Sequence, residues 1–196
     1  MLDNANARRS AARFIDPVAR LMLRLKVTPD GITWFGCGAT IFISVVFLAQ
    51  GNFLIGAILF GAFGLIDLLD GTMARMLGTA GPWGAFLDST LDRISDAAVI
   101  CALIYFYVNA DSSNSQLAVI AGIVSLVMSL MTSYARAKAE SLDAKCTVGI
   151  AERAERNLLI WVALLISALV TDVMPYALAA LAILSTVTVI QRILFV

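Results

Sequence analysis

Apolar residues run along this chain in six long blocks, at residues 32–50, 53–74, 84–108, 117–139, 156–171 and 174–194, separated by short polar connections. About 20 apolar residues cross a bilayer core, so the blocks predict six membrane-spanning helices. The short Gln50–Asn52 connection makes the first two an antiparallel hairpin. Ahead of them, residues 8–25 interleave basic residues with Phe14, Ile15, Val18, Leu21, Met22 and Leu25. That pattern predicts an amphipathic helix in the headgroup plane, interrupted or restarted at Pro17, with a plain topogenic basic tail as the competing reading. Thr28-Pro29-Asp30-Gly31 predicts a turn that starts the first span. Ala57 and Gly61, in a second span that also carries Gly56 and Gly64, predict close helix approach. The expected fold is an all-α integral membrane protein with six transmembrane helices and an N-terminal interfacial amphipathic helix. It forms one membrane domain over residues 1–196, of which 1–27 are the cytoplasmic, interfacial segment.

Composition supports that solvent. Sixty per cent of the 196 residues are hydrophobic and 14% charged, too apolar a balance for a water-facing globular surface. Net charge is zero, but the placement of charge is informative. Arg8, Arg9, Arg13, Arg20, Arg24 and Lys26 precede the first block; Arg75 and Arg93 flank the second connection. Arg136, Lys138, Lys145, Arg153 and Arg156 flank the fourth, and Arg192 closes the chain. All fourteen cations therefore fall on one side, which the positive-inside rule makes cytoplasmic, in the cell (inner) membrane with both termini inside. The basic start lacks an uninterrupted apolar run, so a cleavable signal peptide is not expected. Cys37, Cys101 and Cys146 have no metal spacing and the chain has no His, so zinc and haem are not expected and the thiols read as small buried hydrophobes. No nucleic-acid partner is expected.

Against this background stand four carboxylates. Asp67 and Asp70 lie in D-L-L-D-G-T-M-A-R, which ends at Arg75; eight residues later, G-A-F-L-D-S-T-L-D carries Asp88 and Asp92. An ionisable group at membrane depth is costly and marks a functional site. Spacings of three and four put each pair on one helical face. Asp70 and Asp88 lie at similar distances from a connection centred near Ala80, so antiparallel packing is expected to converge all four in one cavity. Unpaired, they would repel one another. Divalent cations resolve this, and an all-oxygen donor set favours Mg2+ or Mn2+. Four carboxylates suffice for two ions about 4 Å apart, a geometry suited to phosphoryl chemistry. Gly71, Ala74 and Gly84 leave room for a ligand. Arg75 is placed to clamp a phosphate, with snorkelling to the interface as the plainer alternative.

These residues carry a resemblance. D-x-x-D-G-x-x-A-R, eight residues, then G-x-x-x-D-x-x-x-D is the signature of the CDP-alcohol phosphotransferases. Asp67, Asp70, Gly71, Ala74, Arg75, Gly84, Asp88 and Asp92 meet every fixed position. The resemblance implies that CDP-diacylglycerol gives its phosphatidyl group to an alcohol and that CMP leaves. It implies that Asp67, Asp70 and Asp88 hold two divalent ions, and that Asp92 completes the second ion's site and acts as general base. Gly71, Ala74, Arg75 and Gly81 would surround the CDP-lipid, approached by the turn from Asp30 to Thr33; Asp30 stands where the family often has Asn. The family is usually homodimeric. Asp96 extends the acidic row by one turn and, lying outside the signature, reads as a supporting residue.

A basic cluster bears on the acceptor. Arg136 and Lys138 end the fourth block, Arg153 and Arg156 begin the fifth, and Arg192 ends the sixth. Cations gathered on the active side suit an acceptor with its own phosphate, although topology alone also places Lys and Arg there. G-I-A-E-R-A-E-R, from Gly149 to Arg156, resembles the fifth-helix sequence of actinobacterial phosphatidylinositol phosphate synthases, which implies inositol phosphate as acceptor. The alternative within the family is glycerol phosphate, as in phosphatidylglycerophosphate synthases. An ion-coupled membrane transporter and a structural scaffold are the readings from other classes. The former has no inverted repeat to support it, and the latter leaves the carboxylates without a role.

Overall fold

The structure is a computed structural model. It describes the backbone of residues 5–196 and the side chains of residues 15–64 and 69–196. The described residues form seven α-helices and no strand: α1 (Ala5–Arg24), α2 (Pro29–Val46), α3 (Phe53–Leu77), α4 (Pro82–Asn109), α5 (Ser115–Glu140), α6 (Arg153–Leu169) and α7 (Met174–Phe195). A 3-10 turn, Leu48–Gln50, makes the first hairpin. The segments Pro29–Gln50, Phe53–Leu77, Ser115–Glu140 and Met174–Phe195 are long and apolar enough to cross a membrane. The other two predicted spans are also helical, but they differ in kind. α4 carries Asp88, Asp92, Arg93 and Asp96 between its second turn and its middle. α6 has 17 residues, about 26 Å at 1.5 Å per residue, against a hydrocarbon core of about 30 Å. Large apolar side chains such as Trp34, Phe35, Phe42, Val45 and Tyr105 are outward-facing and about 60% exposed, the surface expected where lipid is the solvent.

The chain packs as two compact units, Met1–Thr40 with Phe60–Ser95, and Ile41–Leu59 with Asp96–Val196. In the first, Ala19, Ile32, Leu69 and Met73 form a buried cluster on which Ile15, Met22, Leu23 and Val27 pack. Ile15, Ala19, Met22 and Leu23 are one helical stripe of α1, so part of the predicted amphipathic face is covered by protein, while Val18 and Leu21 stay exposed. The expected break at Pro17 is absent: α1 runs through it. A proline inside a helix removes one backbone bond without necessarily ending it. The side chains of Arg8, Arg9, Arg13 and Phe14 lie outside the described residues.

Local chemistry sets the helix ends. Thr28 caps α2 by accepting the Gly31 N–H at 3.1 Å, and Pro29 takes the first helical position, where its missing N–H costs nothing. The tetrapeptide read as a turn is thus a capped helix start; a Cβ on Gly31 would lie 2.9 Å from the capping oxygen. α3 ends in a Schellman motif: Gly78, at φ 67°, donates to Arg75 O, and Thr79 donates to Ala74 O. Lys26, at φ 60°, ends α1 in the same way, with Val27 donating to Met22 O.

In the second unit α5 and α7 pack through small and hydroxylated residues: Ala118, Ala121, Gly122, Ser125, Ser129 and Thr132 on one helix, Ala182, Ser185 and Thr188 on the other. Small residues let helices approach closely in a membrane, where apolar burial gives little drive. The Ser125 hydroxyl donates across the seam to Leu178 O at 2.9 Å. At Ala57, one of the small residues noted in the sequence, the Trp161 indole of α6 donates to the backbone carbonyl at 2.9 Å. Cys37 and Cys146 are buried and free as expected, whereas Cys101 is free but exposed.

Candidate active site

The signature residues lie on the first unit's portions of α3 and α4. Asp70 sits seven residues before the end of α3, its carboxylate held from two sides. The Thr33 hydroxyl of α2 lies 2.8 Å from Oδ2, and the Gly71 N–H donates to Oδ1. The same hydroxyl is 3.1 Å from Pro29 O, so its one proton serves one acceptor at a time. Thr33 is buried, and it fixes Asp70 directly. Arg75 is exposed and folds back along α3, donating to Thr72 Oγ1 at 3.0 Å. A Cβ on Gly71 would be 3.4 Å from Arg75 Nη1, and one on Gly84 would meet nothing within 4 Å. Protein packing therefore does not demand glycine at either position, consistent with room kept for a ligand. Gly81 caps the α3–α4 connection by accepting Ala85 N at 3.2 Å, and Ala74 is half-buried.

On α4, Asp92 is buried at 9% exposure and Asp88 is half-buried. Arg93 approaches Asp92 at 3.9 Å, a loose ion contact, while donating to Ser89 O. Asp30 accepts the Trp83 indole N–H at 3.0 Å, tying the first turn of α2 to that of α4. The Asp67 side chain lies outside the described residues. Among the described residues no three Asp, Glu, Cys or His stand close enough to hold a metal ion. Asp67 of the predicted set lies outside the described residues, and Asp70, Asp88 and Asp92 do not by themselves form such a group. The donors that are described, Asp70, Asp88 and Asp92, are hard oxygens suited to Mg2+ or Mn2+, and the doubly held Asp70 is preoriented as a ligand carboxylate should be.

The cations of the second unit are held by different partners. Arg153 and Arg156, at the start of α6, meet on Asp96: Arg153 Nε is 3.4 Å from Oδ1 and Arg156 Nη2 is 3.5 Å from Oδ2. Arg156 is buried and donates to Ala151 O at 3.3 Å. Arg192, also buried, donates through Nε to Val148 O at 2.9 Å and through Nη1 to Thr132 O. Arg136 pairs with Glu140 on its own helix at 2.9 Å, and Lys138 is exposed at the end of α5.

Gly149 and Ala151 entered only within the G-I-A-E-R-A-E-R resemblance and Thr188 not at all, yet all three shape this side. The α5–α6 connection is clamped to α7 by Ala151 N–H donating to Thr188 Oγ1 at 3.1 Å and by the Arg192 bond to Val148. Gly149 holds φ 143°, and a Cβ there would lie 2.7 Å from Thr188 Cγ2. Thr33 as the partner of Asp70, and Trp83 as that of Asp30, also escaped the sequence; no local spacing marks pairs 37 and 53 residues apart.

Comparison with known proteins agrees with the signature. The family model of the CDP-alcohol phosphatidyltransferases matches residues 26–191. A phosphatidylinositol phosphate synthase of Cutibacterium acnes is 39% identical, covering 94% of this chain and 93% of its own. An archaetidylinositol phosphate synthase of Methanothermobacter thermautotrophicus is 40% identical, covering 94% and 89%. The crystal structure of the Mycobacterium tuberculosis phosphatidylinositol phosphate synthase with CDP-DAG bound superposes with a TM-score of 0.86 at 34% identity, over 93% of this chain and 92% of that one. The same enzyme in complex with manganese and citrate gives 0.85, over 91% and 87%. This chain belongs to the CDP-alcohol phosphatidyltransferase family.

Proposed function

We propose that this membrane enzyme transfers the phosphatidyl group of CDP-diacylglycerol to a hydroxyl of inositol phosphate, giving phosphatidylinositol phosphate and CMP. The observation that carries the acceptor is the pair Arg153 and Arg156, gathered on one carboxylate at the start of α6. A helix N-terminus favours anions and two guanidiniums suit a phosphate. Relatives named for this acceptor, alike over nearly the whole chain, support the same reading. Arg136, Lys138 and Arg192 belong to the proposed acceptor side as well. Arg192 contributes by fixing the loop that leads to α6, since two of its donors are held by carbonyls.

In the first unit, Asp67, Asp70, Asp88 and Asp92 would hold two divalent ions. Bound there, such ions neutralise the diphosphate and stabilise CMP as leaving group. Thr33 orients Asp70, and Asp30, Gly71, Ala74, Arg75 and Gly81 border the CDP-lipid. The acceptor hydroxyl attacks the phosphorus bearing diacylglycerol; the new P–O bond forms as the bond to the CMP oxygen breaks. Asp92 takes the hydroxyl proton, the role a positioned carboxylate fills for a weak nucleophile. The protein works as a homodimer with six spans and one catalytic domain, its basic side and both termini in the cytoplasm at the inner membrane.

The test is CMP release by purified protein given CDP-diacylglycerol and Mg2+, with inositol phosphate, glycerol phosphate, free inositol and serine in parallel. Release with inositol phosphate alone is the expected result. Release with glycerol phosphate instead moves the enzyme to the alternative acceptor, and none with any acceptor, from folded protein, reopens the transporter reading.

A further inference from the structure

Asp96 lies outside the signature, and its carboxylate gathers three side chains from one face of α6. Arg153 Nε and Asn157 Nδ2 approach Oδ1 at 3.4 and 3.5 Å, and Arg156 Nη2 approaches Oδ2 at 3.5 Å. Residues 153, 156 and 157 are spaced so that a single carboxylate opposite the first turn reaches all of them. The two arginines differ in exposure. The Arg156 side chain is 6% exposed and also donates to Ala151 O, whereas that of Arg153 is 31% exposed. The carboxylate itself is 16% exposed.

Contacts of 3.4–3.5 Å are longer than the 2.7–2.9 Å of a strong charge-assisted bond. Asp96 is shared among three donors and saturates none of them. A phosphate dianion, with more charge and three acceptor oxygens, outcompetes it for the exposed guanidinium before the buried one. We infer that Asp96 is a positioning residue for the acceptor. It locks Arg156 and Asn157 as the fixed wall of the acceptor site and sets the resting orientation of Arg153, which turns to the acceptor's phosphate. The inference rests on the acceptor reading above and deepens it: Arg153 becomes the ligand and Arg156 the anchor. It also separates two roles of opposite sign. A carboxylate that only neutralised the arginines would compete with the phosphate, and removing its charge would tighten acceptor binding. One that holds them in place loosens acceptor binding when removed.

The experiment measures KM for inositol phosphate, KM for CDP-diacylglycerol and kcat in Asp96→Asn, with detergent-solubilised melting as the folding control. The expected result is an acceptor KM raised about tenfold, the weight of one charge-assisted hydrogen bond, with the CDP-diacylglycerol KM and saturating kcat within a factor of about two. An unchanged or lowered acceptor KM overturns the inference. If Asp96→Asn does not fold, Asp96→Glu is read the same way. It keeps the charge but moves it by a methylene, so positioning predicts a raised acceptor KM, and an unchanged one overturns the inference. Arg153→Gln and Arg156→Gln test the underlying reading. If neither moves the acceptor KM, the acceptor reading itself fails. If both raise it while the Asp96 variant does not, only the role given to Asp96 falls.

Discussion

Gly149→Ala is the substitution whose outcome the structure specifies most closely. At φ 143° the residue occupies backbone space that L side chains rarely enter, and the added Cβ would lie 2.7 Å from Thr188 Cγ2. Backbone strain of this kind costs about 1–3 kcal/mol. Relieving the overlap means moving the loop, which pulls Ala151 N–H from Thr188 Oγ1 and Val148 O from Arg192 Nε, now 3.1 and 2.9 Å away. Weakening one such bond adds about 1 kcal/mol, so the variant should lose roughly 2–4 kcal/mol of stability in total. Thr188→Ser removes the methyl that the new Cβ meets and keeps the hydroxyl that Ala151 needs. The double variant should therefore recover the steric share and retain the strain, a coupling read by a double-mutant cycle. The assay is the thermal midpoint in detergent for wild type, both single variants and the double. A Gly149→Ala protein as stable as wild type, or a double variant no better than the single, would refute the reasoning.

Other expectations follow from individual contacts. Asp92→Asn should abolish CMP release while leaving the melting midpoint and lipid binding in place; retained turnover would remove it as the base. Thr33→Val conserves shape but removes the hydroxyl 2.8 Å from Asp70 Oδ2, and should weaken the divalent-ion requirement curve by about tenfold, as loss of a partner of a metal-ligand carboxylate does. Titrating Mg2+ against activity checks it, and an unshifted curve sinks it. Chelation should silence the wild type, with activity returning on adding Mg2+ or Mn2+; activity indifferent to chelator contradicts the carboxylate assignment.

Much of the helical frame is legible in the sequence because apolar blocks and their polar breaks are local signals. The signature carboxylates are legible too, because charge inside an apolar block is conspicuous. The remainder is either fine chemistry at helix ends or pairing at long range. Thr28 reads as part of a turn until its hydroxyl is seen on the Gly31 N–H. Lys26 carries no hint that it takes the left-handed position usually given to glycine. Pro17 looks like a break, yet packing of Ile15, Ala19 and Met22 keeps α1 whole around it. The basic residues of the second unit look alike in sequence, and only their partners separate them. Arg136 is occupied by Glu140, Arg192 by two carbonyls, and Arg153 and Arg156 by Asp96. Asp96 itself is 57 residues from Arg153, beyond any local pattern.

The central claim is a stoichiometric transfer, and the most direct test follows both products in one reaction. Purified protein in liposomes containing CDP-diacylglycerol, supplied with Mg2+ and inositol phosphate, should form one CMP for each phosphatidylinositol phosphate, with neither product in Asp92→Asn. CMP accompanied by phosphatidic acid instead of the inositol lipid, or inositol phosphate crossing the bilayer without CMP, would contradict the account.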